Sequence, residues 1–281
     1  TQSINNPPAK DWFKKACESG VTCDLLIISG HFGGTFFGAS GLTLSMEDLE
    51  SNACAKTCPG ILDSPKEVFL FGCNTLAGKD KDSRTPEQYL RVLMNDGIPH
   101  SQAIQLVEAR YGAFGSDNKA RMQRTFHNTH NIYGFSSIGP SGSHVKEMLG
   151  KYLMDIGDYD EHLDKISRKN SGANNIELTS ALKSTSFAQC HGIDPRDPSS
   201  KIALEICSLF RNELSMISRV KIAESLLNSQ TQVAALPTIL KFINSNLDDP
   251  NIIAFKYSLK KNRTLRDLVS GSIKKMTSPS L

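Results

Sequence analysis

The sequence predicts an α/β fold with a mostly parallel sheet flanked by helices, followed by an all-helical C-terminal region. Three short apolar runs have the length of strands buried on both faces, and they cover residues 25–28, 68–71 and 132–136. Helical segments alternate with these runs, which is typical of a parallel sheet covered by helices. The strand signal disappears after about residue 145. We therefore expect a sheet domain over residues 1–145 and a helical region over residues 146–281, which is either a separate domain or a layer packed on the sheet.

The first elements carry local start and stop signals. Pro8 lies near the start of a predicted helix over residues 8–19, and Gly20 follows its end. After the first strand, two short apolar runs flank a Gly-containing turn and predict a hairpin. Ser45 then begins the next helix, with Asp48 three residues on, in the pattern of a capping box.

The later helices are predicted from proline starts and from apolar residues at helical spacing. Before residue 145 they cover residues 86–95, 99–112 and 117–126. After it they cover residues 201–216, 218–227, 233–243 and 265–273. Because no strand pattern interrupts this second set, the C-terminal half is expected to be helical.

Composition narrows the class of protein. Hydrophobic residues make up 39% and charged residues 22% of the 281 residues, which excludes a disordered chain and allows a sizeable core. The 32 basic and 29 acidic residues leave a net charge of only +3, which argues against a dedicated nucleic-acid binder. No run approaches the ~18 apolar residues that a membrane-spanning helix needs. We expect neither a nucleic-acid partner nor a membrane span.

The seven cysteines leave two alternatives open. If one is a thiol, the other six can form three disulfides, and the pairs nearest in sequence are Cys17–Cys23, Cys54–Cys58 and Cys190–Cys207. Disulfides persist outside the cytosol, so this alternative favours a periplasmic or secreted protein. In the other alternative, all seven are buried thiols of a cytoplasmic protein. Cys54 and Cys58 have no second Cys or His pair at the spacing of a zinc finger, so no metal site is expected.

His31 and Cys73 carry most of the chemical information. Each comes directly after the carboxyl end of a predicted buried strand, and this edge of an α/β sheet is where catalytic groups collect. On neighbouring strands, the imidazole could lower the pKa of the thiol and protonate a leaving amine. Glycines flank both positions and leave backbone N–H groups for an oxyanion. The pair predicts a catalytic dyad, against the alternative of a structural histidine and a core cysteine.

Two segments resemble the caspase-fold cysteine peptidases. Residues 29–38, Ser-Gly-His-Phe-Gly-Gly-Thr-Phe-Phe-Gly, resemble the caspase segment in which the catalytic histidine follows an apolar strand and precedes a Gly-rich hairpin. Residues 68–75, Val-Phe-Leu-Phe-Gly-Cys-Asn-Thr, resemble the nucleophile strand in the CHAT branch of that clan. The two motifs occur in the family's order, and the resemblance covers roughly residues 8–140.

The resemblance implies a cysteine endopeptidase in which Cys73 is the nucleophile and His31 the general acid and base. Backbone N–H groups of Cys73 and of Phe32 or Gly33 would form the oxyanion hole, although Phe32 stands where caspases usually have glycine. The implied partner is a protein or peptide substrate, and no metal or organic cofactor is implied. The alternative is a catalytically inactive caspase-fold module that binds protein partners through its helical half.

Two further expectations follow from the resemblance. The strand at residues 132–136 corresponds to the place where the family builds its first substrate pocket, so Ser136 and Ser137 are expected to line it. In the family, the strand that leads to the histidine is preceded by a helix, and that helix is itself preceded by two strands and another helix. In this sequence, only one helix, over residues 8–19, precedes the histidine strand. We therefore expect an N-terminal chain of the same precursor, removed by autoprocessing or absent from this sequence, unless the later strands are reordered to cover the strand at residues 25–28.

Overall fold

A computed structural model describes residues 11–38, 40–78, 86–95, 97–101, 103–104, 107, 117–167, 176–193, 198–228 and 232–261. The chain divides into two compact units, the first formed by Thr1–Asp82 with Asn118–Asp197 and the second by Ser83–Asp117 with Pro198–Leu281. Neither unit ends at residue 145, where the sequence predicted the boundary of the sheet domain. Helices that follow this residue contribute to the core of the sheet unit, as shown by Val145, Tyr152 and Leu178.

The described strands all belong to the first unit. They are β1 Leu25–Ser29, β2 His31–Phe32, β3 Thr35–Phe37, β4 Thr43–Ser45, β5 Glu67–Phe71, β6 Asn131–Phe135 and β7 Phe187–Cys190. The main sheet has the order β1-β5-β6-β7, and β2-β3-β4 form a small antiparallel sheet. Strands β1, β5 and β6 are parallel and β7 is antiparallel, which confirms the mostly parallel sheet. Strand β7 was not predicted, and it corrects the expectation that no strand follows residue 145.

The helices of the described residues flank the sheet or form the second unit. In chain order they are α1 Trp12–Glu18, α2 Met46–Ala55, α3 Pro59–Leu62, α4 Pro86–Asn95, α5 Asn118–Thr125, α6 Gly142–Asp155, α7 Tyr159–Ser167, α8 Ile176–Ala181, α9 Pro198–Cys207, α10 Met216–Asn228, α11 Gln232–Asn244 and α12 Pro250–Lys261. Helices α4 and α9–α12 belong to the second unit, whose described elements are all helical. The helices predicted over residues 99–112 and 265–273 lie mostly or wholly outside the described residues.

Successive side chains of a strand point to opposite faces of the sheet, and helices cover both faces along β5. On β5, Val68 and Leu70 pack with residues of α2 and α5, whereas Phe69 and Phe71 pack with residues of α6 and α8. All five residues of β5 are buried, as expected for a central strand covered on both sides. The second unit has a separate core built from α9–α12, with Phe242 fully buried in it. Within the described part of the chain, no helix is both long and apolar enough to cross a membrane.

One disulfide of the first unit joins Cys17 to Cys58 across 41 residues of sequence, with a Cα–Cα distance of 4.7 Å. Cys17 lies in α1 and Cys58 directly precedes α3, and these two helices pack together. This bond rules out the predicted pairs Cys17–Cys23 and Cys54–Cys58. Both predictions paired near neighbours in sequence, whereas the packing of α1 on α3 selects the partner here.

The third predicted pair, Cys190–Cys207, is also wrong because Cys190 is a buried thiol at the end of β7. Cys23 and Cys73 are thiols as well, so the structure has three thiols where one was expected. Burial raises the pKa of Cys190 to about 12. Burial, and then the charge of Asp24, also raise the pKa of Cys23. These two thiols are therefore poorly reactive at neutral pH.

Candidate functional site

The parallel pairing of β1 with β5 brings His31 and Cys73 to one edge of the sheet. The last residues in register are Ser29 and Phe71, and the N–H of Gly30 donates to the carbonyl of Phe71 at 3.0 Å. Neighbouring strands lie ~4.8 Å apart, so the chain leaves both strands side by side. His31 follows two residues after Ser29 and Cys73 two residues after Phe71. The strands that precede His31 and Cys73 are therefore neighbours, which is the condition under which the sequence analysis expected the imidazole to act on the thiol.

Gly72 allows the two strand ends to pack backbone against backbone. A Cβ atom on Gly72 would lie 2.9 Å from the carbonyl oxygen of Gly30 and 2.8 Å from the Cβ of Phe32. Real side chains do not tolerate such distances, so only glycine fits without displacement of the backbone. The residues directly before His31 and Cys73 are therefore in contact.

A short strand orients His31 toward solvent. His31 and Phe32 form β2, in which successive side chains point to opposite sides. Phe32 is buried against Phe36, with ring centroids 4.5 Å apart, whereas His31 is exposed. The His31 ring lies beside that of Phe37, its partner on β3, at a centroid distance of 5.3 Å. Burial of Phe32 thus fixes the strand and leaves the imidazole accessible.

Cys73 begins a turn over residues 73–76, called here the Cys73 turn. The thiol residue is half-buried, and Asn74 adopts the left-handed conformation with φ of 60°, which asparagine tolerates better than most residues. The hydroxyl of Thr75 donates to the carbonyl of Leu70 at 2.9 Å and accepts from the N–H of Phe135 at 3.1 Å. These bonds attach the Cys73 turn to the ends of both β5 and β6.

Helix α5 also holds the Cys73 turn. The side-chain amide of Asn118 donates to the carbonyl of Asn74 at 2.9 Å, and the N–H of Lys119 donates to the carbonyl of Ala77 at 3.2 Å. Asn118 is buried with 5% exposure, although its side chain is polar. The sequence predicted a helix beginning here, but it carried no signal that the first residue of this helix reaches the turn 44 positions earlier.

The predicted pocket residues lie beside the Cys73 turn. The carbonyl of Ser137 accepts the N–H of Asn74 at 2.7 Å. Ser136 points the other way, because its N–H and its hydroxyl both donate to the carbonyl of Ser186, at 2.8 and 3.1 Å. Among the predicted oxyanion donors, the N–H of Gly33 is directed at the Thr35 carbonyl at 3.4 Å within the hairpin.

An apolar cavity of about 290 Å³ opens between α1, β1 and the hairpin. Its lining includes Trp12, Phe13, Leu26 and Phe37. Phe37 is also the residue whose ring lies beside His31. The sequence did not predict this cavity, because its walls come from three elements that each look like ordinary amphipathic segments.

A buried ion cluster connects α2 with α5. Glu50, with 1% exposure, accepts from Nε and Nη2 of Arg121 at 3.0 and 2.9 Å and from Nε of Arg124 at 2.7 Å. Burial by itself raises the pKa of Glu50, but the charges of Arg124 and Arg121 outweigh it and bring the pKa down to about 2. Arg121 also binds Glu47 at 3.1 Å.

Helix α2 is also bonded to the hairpin of His31, which is formed by β2 and β3. The helix begins at Met46, whose N–H donates to the carbonyl of Gly34 in this hairpin at 2.8 Å.

A second buried carboxylate lies at the opposite edge of the sheet. Glu67, fully buried at the start of β5, accepts the hydroxyls of Tyr133, Tyr152 and Tyr159 at 3.1, 2.9 and 3.1 Å. Nε2 of His162 lies 3.3 Å from the same carboxylate. Burial, followed by the charge of Glu67, raises the pKa of all three tyrosines. Because β5 separates this cluster from Cys73, it belongs to the sheet core and its helices α6 and α7.

Comparisons with known protein families, curated proteins and solved structures find no match for this chain. Within the described residues, no group of three or more His, Cys, Asp or Glu side chains could hold a metal ion. The described geometry places an accessible imidazole and a half-buried thiol after adjoining strand ends.

Proposed function

We propose that this chain is a cysteine endopeptidase of caspase-like fold, with Cys73 as the nucleophile and His31 as the general acid and base. The observation that carries the proposal is the pairing of Ser29 with Phe71, which leads the two residues off adjacent parallel strands. The exposure of His31 and the partial exposure of Cys73 support it further, because both groups must reach a polypeptide substrate.

The proposed reaction uses only the dyad and water. The imidazole of His31 takes the thiol proton, and the sulfur of Cys73 attacks the scissile carbonyl carbon. The C–N bond then breaks as the imidazolium gives its proton to the leaving amine. In the second half, His31 removes a proton from water, the hydroxide attacks the thioester, and the C–S bond breaks to release the carboxyl product and the thiol. The proposed reaction steps use no cofactor.

Hydrogen bonding around the dyad favours particular oxyanion donors. The N–H of Asn74 is bound to Ser137, and the proposal keeps the N–H of Cys73 as the donor on the nucleophile strand, as the resemblance implies. On the histidine side we favour Phe32 over Gly33, because the N–H of Gly33 is already directed at the Thr35 carbonyl. Donors fixed in advance of the reaction stabilise the developing charge most effectively.

The proposal is tested with peptide probes that carry a thiol-reactive chloromethyl ketone. We expect mass spectrometry to find the label on Cys73, and the rate to fall about 100-fold or more in the His31→Ala variant. Cys73→Ala should lose both labelling and cleavage of a peptide library while remaining folded. Cys23→Ser is the matched control, because it removes another thiol of the same unit and should leave labelling of Cys73 unchanged.

Two results would overturn the proposal. One is labelling of Cys73 that is equally fast with the peptide probe and with free chloroacetamide, and that does not depend on His31. The other is full peptide cleavage by Cys73→Ala. A folded wild-type protein with no labelling and no cleavage would support the inactive interaction module instead.

A further inference from the structure

We infer that Asn118 is a positioning residue for Cys73, acting through the carbonyl of Asn74. This inference rests on the proposed peptidase function, because it assigns a role in the same site. Asn118 does not belong to either motif of the dyad and lies 44 residues from Asn74 in sequence. Its buried amide nevertheless holds the carbonyl of the residue that directly follows the nucleophile.

The Asn74 carbonyl is held from two directions. It accepts the side-chain amide of Asn118 at 2.9 Å and the N–H of Ala77 at 3.1 Å. Lys119, the next residue of α5, binds the carbonyl of Ala77 at 3.2 Å. The start of α5 therefore binds the Cys73 turn at both Asn74 and Ala77. Of these two bonds, the one from the Asn118 amide to Asn74 is nearer to Cys73 in sequence.

Backbone conformation explains why this bond matters for the thiol. Asn74 has φ of 60°, a conformation that is unfavourable for a residue other than glycine and that surrounding contacts help to hold. Without the amide of Asn118, the turn can relax toward negative φ at position 74. Because residue 74 is bonded to Cys73, such a relaxation changes the position of the thiol relative to His31.

The same helix is tied to the histidine side of the site. Arg121, one turn after Asn118, is ion-paired with Glu50 of α2 in the buried cluster. Helix α2 begins at Met46, which is bonded to Gly34 in the hairpin of His31. Asn118 thus connects the Cys73 turn to the same framework that holds His31, so its amide contributes to the relative position of the two reacting groups.

The test compares Asn118→Ala with Thr125→Ala. Thr125 lies on the same helix, is fully buried and bonds only the carbonyl of Arg121 at 3.0 Å, so it matches the loss of one buried hydrogen bond. We expect Asn118→Ala to lower kcat per titrated active site about 10- to 100-fold and to change KM by less than about twofold. The pH profile of Cys73 alkylation by iodoacetamide should move toward that of His31→Ala. Thr125→Ala should keep the wild-type kcat per site and pH profile.

The outcomes separate this inference from the proposed function. Wild-type kcat per site and an unshifted alkylation profile in folded Asn118→Ala would overturn the inference alone. A wild-type alkylation profile that is already the same as that of His31→Ala would overturn the dyad, and the inference with it. If Asn118→Ala does not fold, Asn118→Ser is measured in its place, because its hydroxyl is too short to reach the Asn74 carbonyl but keeps a polar group in the buried site.

Discussion

Gly72 and Phe32 pack so tightly that no side chain fits between them, since a Cβ on Gly72 would lie 2.8 Å from the Cβ of Phe32. This contact joins the end of β5 to the strand that begins with His31. Gly72 directly precedes Cys73, and Phe32 directly follows His31. The spacing of the dyad therefore depends on the absence of a side chain at position 72.

We predict that Gly72→Ala separates the strand ends and destabilises the protein by about 1–3 kcal/mol, the usual cost of overpacking a core. Labelling of Cys73 by a peptide probe should fall as well, because the thiol moves relative to His31. Gly78→Ala is the control, since a Cβ on Gly78 meets no atom within 4 Å. Urea unfolding and labelling rates measure both effects. Equal stability and labelling in the two variants would contradict the prediction.

The sequence alone predicted correctly those helices and strands whose local residue pattern matches their surroundings in the folded protein. The apolar runs of β1 and β5 both form strands, as predicted. The expected burial on both faces holds for β5 but not for β1, which lies at the edge of the four-stranded sheet and leaves Ile27 41% exposed. The start of α2 was predictable from Ser45, whose hydroxyl accepts the N–H of Asp48 at 3.0 Å. The positions of His31 and Cys73 after these strands were predictable for the same reason.

Features that depend on distant partners were not predictable. Strand β7 has only four residues, and its pairing with β6 rather than its own pattern makes it a strand. The sequence of α5 is strongly polar, so Arg121 and Arg124 look solvent-exposed until Glu50 of α2 is brought against them. Disulfide connectivity does not follow from spacing at all, which is why every predicted pair failed.

The ion cluster predicts a loss of stability in acid. Because the pKa of Glu50 is about 2 in the folded protein against an ordinary value of 4.5, the carboxylate stabilises the fold fully above about pH 4.5. This contribution, about 3 kcal/mol, is lost as the pH falls from 4.5 toward 2. Glu50→Gln should be destabilised at pH 7 and should show a flatter stability profile over this range in urea titrations.

The control for Glu50→Gln is Glu18→Gln. Glu18 pairs with Lys14 at 3.7 Å on the exposed side of α1, and such surface pairs contribute less than about 1 kcal/mol. Its stability profile should follow that of the wild type at every pH. If Glu50→Gln loses stability in parallel with the wild type between pH 4.5 and 2, the low pKa assigned to Glu50 is wrong.

Cysteine pairing predicts a definite thiol count. The unreduced protein, denatured in guanidinium, should react with a thiol reagent at three cysteines, namely Cys23, Cys73 and Cys190, because the other four are disulfide-bonded. Cys58→Ser should expose one additional thiol, at Cys17, and should lower stability by about 4 kcal/mol, as a loop of 41 residues implies. A single reactive thiol, or seven, would contradict the observed pairing.

The Glu67 cluster predicts the behaviour of the protein in alkali. Burial and the negative charge of Glu67 raise the pKa of Tyr133, Tyr152 and Tyr159 above the ordinary value of 10. The folded state thus holds these phenol protons more tightly than the unfolded state. The resulting stability is fully present below about pH 10 and is lost as the pH rises above it.

Tyrosinate absorbance, followed with circular dichroism, measures this effect. Of the six tyrosines, these three should ionise only as the fold is lost. Glu67→Gln removes the charge but keeps the burial, so it should bring part of their ionisation to lower pH. Tyr257→Phe is the control, because Tyr257 is 61% exposed and lies outside the cluster, and it should leave the number of late-ionising tyrosines unchanged. Ionisation of all six tyrosines near pH 10 in a still-folded protein would show that Glu67 does not hold the three hydroxyls, and that α6 and α7 are attached to the sheet in some other way.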